Sequence, residues 1–257
     1  MASKAGVKWM ALCDHDTAAG VEPLLEAVRE YPDMQVLPGV EVSTGANGSV
    51  HVLGYGPAVL SKGMQSFLKN TGADRQRRAE AMLDRLADAG IAVPPSMRAS
   101  LLDNPGVGRP HIGRALVELG VVSTVRQAFD RYLAQGQCAY VPRSLPSTAE
   151  AVSCMRELGA VPVLAHPVLL NLDWTALHAL VLELKGCGLM GVEAYHPSAN
   201  ARKACMLDQL ARSSGLLVTG GSDYHGDPGS TVHVGRLPAG WQSRSEDVCA
   251  LLSATRM

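Results

Sequence analysis

Residues 160–195 read AVPVLAHPVLLNLDWTALHALVLELKGCGLMGVEAY. A short apolar run, Ala160–Ala165, ends on His166 and Pro167; helical periodicity follows over Trp174–Lys185, and a second run, Leu189–Tyr195, ends beside His196. A helix over Ala201–Ser213 and a strand-like Leu216–Gly220 repeat the unit. Strands alternating with helices of this length mean βαβ units and a mostly parallel sheet, so the expected class is α/β. Upstream the rhythm recurs, with a strand over Trp9–Cys13, a helix over Val21–Glu30, and strands over Gln35–Val42 and Val50–Tyr55.

Between these halves the rhythm breaks. Ala73–Ala89 is helical with Gly90 as its C-cap, and helical patterns follow over His111–Leu119 and Val125–Ala134. Ser147 and Glu150 form a capping box that opens the next helix. The expected organisation is a barrel from residues 1–60 and 141–257, with residues 61–140 a helical insertion over its mouth. Arg75, Arg77 and Arg78 lie close together in that insertion. Such a run on a helix reads as a solvated face before it reads as a polyanion site.

The chain has 257 residues, 47% hydrophobic and 18% charged. It is long enough to bury a full core, and its composition excludes disordered, collagenous and coiled-coil proteins. Its formal net charge is −1, so nothing attracts duplex DNA or an anionic membrane. No apolar run approaches the roughly 18 residues of a spanning helix, and the start lacks the layout of a signal peptide. The six cysteines form no C-x-x-C pair and read as reduced; a zinc ribbon is excluded and the expected location is cytoplasmic.

Four strand ends stop on residues that bind metals. Trp9–Cys13 runs into Asp14, His15 and Asp16; Pro38-Gly-Val delivers Glu41; Leu164-Ala delivers His166; and Gly220-Gly-Ser leads to Asp223 and His225, which share a side in extended chain. Strand C-termini of a barrel converge on one mouth. Imidazole and carboxylate donors suit Zn, Mn or Fe, and a carboxylate can bridge two cations. Singly each residue has an ordinary structural explanation: Asp14 and Asp16 as caps of the next helix, His-Pro as a turn. Together they point to a metal centre. His178 and His233 match no motif and read as structural.

The motifs D-H-D-T, G-V-E, H-V-L-G-Y-G, G-R-P-H-I-G-R-A-L-V, A-Y-V-P, A-H-P, G-V-E-A-Y and G-S-D-Y-H, in this order along nearly the whole chain, resemble the PHP (polymerase and histidinol phosphatase) family of metal-dependent phosphoesterases. The resemblance implies a distorted (β/α)7 TIM-like barrel carrying a helical insertion, and two or three divalent ions (Mn, Zn or Fe). It implies hydrolysis of phosphate monoesters or short phosphodiesters of small nucleotides by metal-activated water. The nearest branch acts on nucleoside 3′,5′-bisphosphates or short 5′-phosphorylated RNA. By this resemblance Glu41 bridges two metals, His166 and His51 bind the second, Asp223 binds the first, and His15 and His225 serve a further position or the phosphate. Arg109 and His111 of G-R-P-H would hold substrate phosphate, a task suited to an Arg fork, although Pro110 also fits an ordinary helix start. Glu193 and His196, at another strand end, are placed to touch the metals' water or the substrate; Arg143 and Tyr140 are candidates for the same surface. His196 or His225 would protonate the leaving oxygen.

The resemblance departs at one place. Members of the family open with a strand bearing H-x-H, then S-D-G and a helix, and this strand gives two histidines to the first metal. Here Ala2–Lys8 resembles the end of that helix, and no H-x-H precedes it. The expectation is an N-terminally truncated barrel with an open seam beside Trp9–Cys13, from a start codon placed late or a shortened gene. The first metal would keep only Glu41 and Asp223. Two alternatives to the nucleotide phosphoesterase stay open: a histidinol-phosphate-type phosphatase, and an inactive remnant that binds metal or ligand without turnover.

Overall fold

The computed structural model describes residues 1–45, 50–104, 106–142, 145–226, 231–237 and 244–256. A mixed sheet of six strands forms the frame among them: β1 (Trp9–Leu12), β2 (Gln35–Thr44), β3 (Val50–Tyr55), β4 (Val161–Leu164), β5 (Gly191–Tyr195) and β6 (Leu217–Gly220). Spatial order follows chain order, with β1 and β6 at the two edges.

β1 and β2 are parallel, as are β4, β5 and β6, but β3 runs antiparallel to both neighbours. The mostly parallel sheet expected from the sequence is therefore present, with β3 as its exception. Thr44 and Val50 are too close in sequence for a parallel crossover, which needs about a dozen residues. The reversal matters for function. Ser43 pairs with His51 and Glu41 with Leu53, so the first residues of β3 lie at the same end as the last residues of its neighbours.

β2 shows how the sheet sorts its two faces. Val40 and Val42 pack outward into the main core with Val192, Val218 and residues of the surrounding helices, whereas Leu37 packs inward with Leu53, Tyr55, Val161 and Val163. This is the period-2 alternation of a sheet covered on both sides. The inner cluster also takes in Ala11 of β1 and Leu217 of β6. A flat sheet of this width would hold its edges about 24 Å apart at the usual strand spacing. Shared packing between the two edges means that the sheet curls into a half-barrel.

Helices α1 (Val21–Ala27), α6 (Thr148–Glu157), α7 (Trp174–Gly186), α8 (Ala201–Ser213) and α9 (Ser245–Ala254) accompany the strands. The capping box of Ser147 and Glu150 opens α6 as the sequence predicts. Between β3 and β4 lie α2 (Lys62–Asp88), α3 (Pro95–Asp103), α4 (Arg109–Glu118) and α5 (Val125–Ala128), the last continuing as a π-turn over Phe129–Leu133. These helices have their own core of Met82, Leu83, Leu86, Ile112, Leu116 and Leu133.

α2 begins eleven residues before the predicted Ala73. Gly63, Asn70, Thr71 and Gly72 are weak helix formers, but Ser61 caps the helix by accepting from the Met64 N–H, and Met64 and Leu68 are buried in the main core. Burial overrides propensity there. The Arg75–Arg78 face also differs from expectation: Arg77 is exposed, but Arg78 is buried and Arg75 nearly so.

Candidate metal centre

Glu41 is the hub. It sits near the end of β2, is 5% exposed, and has three imidazoles against its carboxylate. His51 Nδ1 lies 2.7 Å from Oε1, His166 Nε2 lies 3.0 Å from the same oxygen, and His15 Nδ1 lies 3.4 Å from Oε2. His15 follows β1 and meets Glu41 in an isolated parallel bridge. His51 comes from the start of β3, which the strand reversal turns toward this end. His166 follows β4 in a left-handed backbone (φ 27°) that a non-glycine residue rarely adopts.

A second group adjoins the first. His196, just beyond β5, has Nε2 3.2 Å from Asp223 Oδ2, and its Nδ1 accepts from the Ser198 N–H. That bond places the ring proton of neutral His196 on Nε2, facing Asp223. Asp223 also has a left-handed backbone (φ 50°), and His225 folds back so that its Nδ1 is 2.8 Å from the Asp223 carbonyl oxygen. The ring centroids of His166 and His196 are 5.4 Å apart and those of His15 and His225 are 5.9 Å apart, so the two groups form one cluster. Glu193 of β5 lies beneath, accepting the His166 N–H at 2.8 Å. A side chain on Gly221 would strike Glu193 Oε1 at 2.5 Å, so the chain after β6 passes against this carboxyl with only hydrogen in between.

The environment sorts these groups by charge. Burial pushes Glu41 upward, but hydrogen bonds from His166 and His51 outweigh it and hold the carboxyl well below the ordinary carboxylate range. Burial pushes His15 down to about 4, so its imidazole stays neutral with a free lone pair at pH 7. His166 moves the other way: burial lowers it, but the bond to Glu41 and that carboxylate's charge prevail. Burial lifts Glu193 to about 7, and Asp223, which burial would also raise, is held low by His196.

The donor set fits divalent metal ions. One ligand atom each from His15, Glu41 and His51 lie within 4.8 Å of one another. The buried Nδ1 atoms of His15 and His166 have no hydrogen-bond partner. His51 Nδ1 and His166 Nε2 are 3.2 Å apart, both directed at the same oxygen. Nitrogens crowded together on one carboxylate are satisfied when a cation takes the place between them.

Of the residues singled out in the sequence, the structure brings together His15, Glu41, His51, His166, Glu193, His196, Asp223 and His225. Arg109 and His111 open α4, with the Arg109 guanidinium 5.5 Å over the Phe129 ring. Tyr140 stacks near Arg78 and accepts from Arg85 through its carbonyl. Arg143 lies outside the described residues. His178 and His233 are exposed.

Sequence reasoning named Asp16, the neighbour of His15, but missed its partner. Asp16 does not cap the next helix, whose N-cap is Gly20. It is 2% exposed with φ 57°, and it accepts from the Ser43 N–H at 2.8 Å and from Arg75 Nη2 at 2.6 Å. No local sequence signal joins Asp16 to an arginine so far along the chain.

No family model matches the chain. It is 32% identical over 237 residues to the 5′-3′ exoribonuclease of Haemophilus influenzae, covering 92% of this chain and 82% of that protein. It is 32% identical over 234 residues to the 3′,5′-nucleoside bisphosphate phosphatase of Chromobacterium violaceum, covering 89% and 82%. Among solved structures, an amidohydrolase of Chromobacterium violaceum with bound sulfate and no metal superposes with a TM-score of 0.84 at 28% identity, covering 98% of this chain and 88% of that one. A Bifidobacterium adolescentis chain described as a metal-dependent phosphoesterase gives a TM-score of 0.81 at 29% identity, with the same coverage. An α/β half-barrel whose sheet end gathers five histidines and three carboxyls, together with relatives of this length and identity, leads to one conclusion: the chain belongs to the PHP-like family of metal-dependent phosphoesterases, a family of hydrolases.

Proposed function

We propose that this protein hydrolyses phosphate esters of small nucleotides, with nucleoside 3′,5′-bisphosphates or short 5′-phosphorylated RNA as substrates. The observation that carries the reading is Glu41 with His15, His51 and His166 against its carboxylate. The names of the relatives and the sulfate in the Chromobacterium violaceum structure support a phosphate-directed site.

His15, Glu41, His51 and His166 would hold divalent ions on one side of the cluster, and Asp223 and His225 on the other. Ions in such a site lower the pKa of water and neutralise charge that builds up on phosphate during displacement. The remaining steps belong to the chain. Glu193 fixes the His166 backbone. As an imidazolium, His196 would give its Nε2 proton to the leaving oxygen and return to the neutral ring, and His225 is the second candidate for that task. Arg109 and His111 hold the non-reacting phosphate, with Arg143 in the same role, and residues 61–140 act as a cap that sets substrate size. The six free cysteines fit a cytoplasmic enzyme.

The test is phosphate release from adenosine 3′,5′-bisphosphate with and without Mn²⁺, beside a His166→Ala control. Metal-dependent release lost in the control supports the reading. No release from folded, metal-loaded protein refutes it and leaves a binding remnant.

A further inference from the structure

Arg75 makes two sets of contacts. Its Nε and Nη2 donate to Asp16 Oδ2 at 3.0 and 2.6 Å, and Nη2 also reaches Ser43 Oγ at 3.1 Å. Its Nη1 lies 3.4 and 3.5 Å from the carbonyl oxygens of Gly106 and Val107. One end of the guanidinium therefore grips the residue after His15 and the residue two beyond Glu41. The other end grips the backbone that runs straight into Arg109 and His111. Gly108 lies against the same group: a Cβ there would stand 3.1 Å from Arg75 Nη1.

The pair is enclosed, with side-chain exposures of 11% for Arg75 and none for Asp16. A desolvated carboxylate must keep its partner, so the geometry around it is fixed. A planar fork holds its donors spread in fixed directions, whereas an ammonium offers its three from a single rotatable nitrogen. From this we infer that Arg75 is the positioning residue that sets Arg109 and His111 relative to the metal centre, and so selects substrates with a second phosphate. The inference deepens the function proposed above and rests on Arg109 and His111 holding that phosphate.

Arg75→Lys keeps the charge and loses the fork; Arg75→Met removes both and serves only if it folds. Each is compared with Arg109→Met on adenosine 3′,5′-bisphosphate and on p-nitrophenyl phosphate, which has one phosphate and nothing for the cap to hold. The expected result for Arg75→Lys is a KM on the bisphosphate raised by about tenfold, with p-nitrophenyl phosphate hydrolysis changed less than about twofold. The Arg75→Lys/Arg109→Met double variant should lose no more than Arg109→Met alone, because the two act as a unit. Equal losses on both substrates would show a merely structural role and overturn the inference, as would additive losses. Amide hydrogen exchange supplies a reading that needs no turnover. Residues 106–112 should exchange faster in Arg75→Lys while β5 and β6 keep their protection; unchanged exchange at 106–112 sinks the clamp. If the unaltered protein hydrolyses neither substrate, the proposed function falls, and exchange still decides whether Arg75 fixes the segment.

Discussion

Two carboxyls in the same cluster answer burial in opposite ways. Glu41 is surrounded by imidazoles and stays ionised; Glu193 is buried with fewer donors and is lifted to about 7. Glu41→Gln removes the charge that gathers the imidazoles. Loss of residues that merely support metal ligands costs about 10–100-fold in metal affinity, so this variant should lose at least about a hundredfold in Mn²⁺ affinity by calorimetry. Glu193 makes a pH prediction for the metal-free protein. Its folded pKa lies above the unfolded one, so the fold favours the protonated acid. That stability is whole below about pH 4.5 and is lost as pH rises through 7. Glu193→Gln, which mimics the neutral acid, should match the parent near pH 4.5 and exceed it by about 3 kcal/mol at pH 8. Urea unfolding in EDTA checks this, and a gap that does not change with pH would contradict it.

Among the elements, α8 and α9 are joined by one arginine. Arg212 of α8 bonds Asp208 a turn earlier and reaches Asp247 in the first turn of α9 at 2.9 Å. Both carboxylates are buried at 8% exposure, so Arg212→Met should destabilise the protein by about 2 kcal/mol in urea, less than a fully buried pair because the arginine is partly exposed. Elements were also the most legible level of the sequence. The Ala201–Ser213 helix and the Val50–Tyr55 strand stand where periodicity puts them, and Ser147 with Glu150 marks the start of α6 from residues three apart. The early turns of α2 were not legible, because Gly63 and Gly72 argue against a helix that Met64 and Leu68 secure only by packing. The clustered residues His15, Glu41, His166 and Asp223 could be read from strand ends. Asp16 and Arg75 could not, because the loop after β1 meets α2 only once the sheet has curled.

For the whole molecule, the candidate metal centre is also a fastening, since its residues come from opposite edges of the half-barrel. Ions that bind the folded chain alone at a hundred times their Kd add about 2.7 kcal/mol of stability. Mn²⁺ should therefore raise the midpoint of thermal unfolding by several degrees, and EDTA should reverse the rise; an unchanged midpoint would mean that the cluster does not bind metal in the native fold. The meeting of His15 with His225 also has a consequence in time. The two residues are about 210 apart in the chain. At a synthesis rate of about 5–20 residues per second, roughly 10–40 s separates their appearance at the ribosome. During that interval the nascent chain can assemble Glu41 with His15 and His51, but it lacks Asp223 and His225. With Asp223 and His225 in the roles proposed above, the hydrolase would stay silent for most of its own translation and gain activity only as synthesis nears its end.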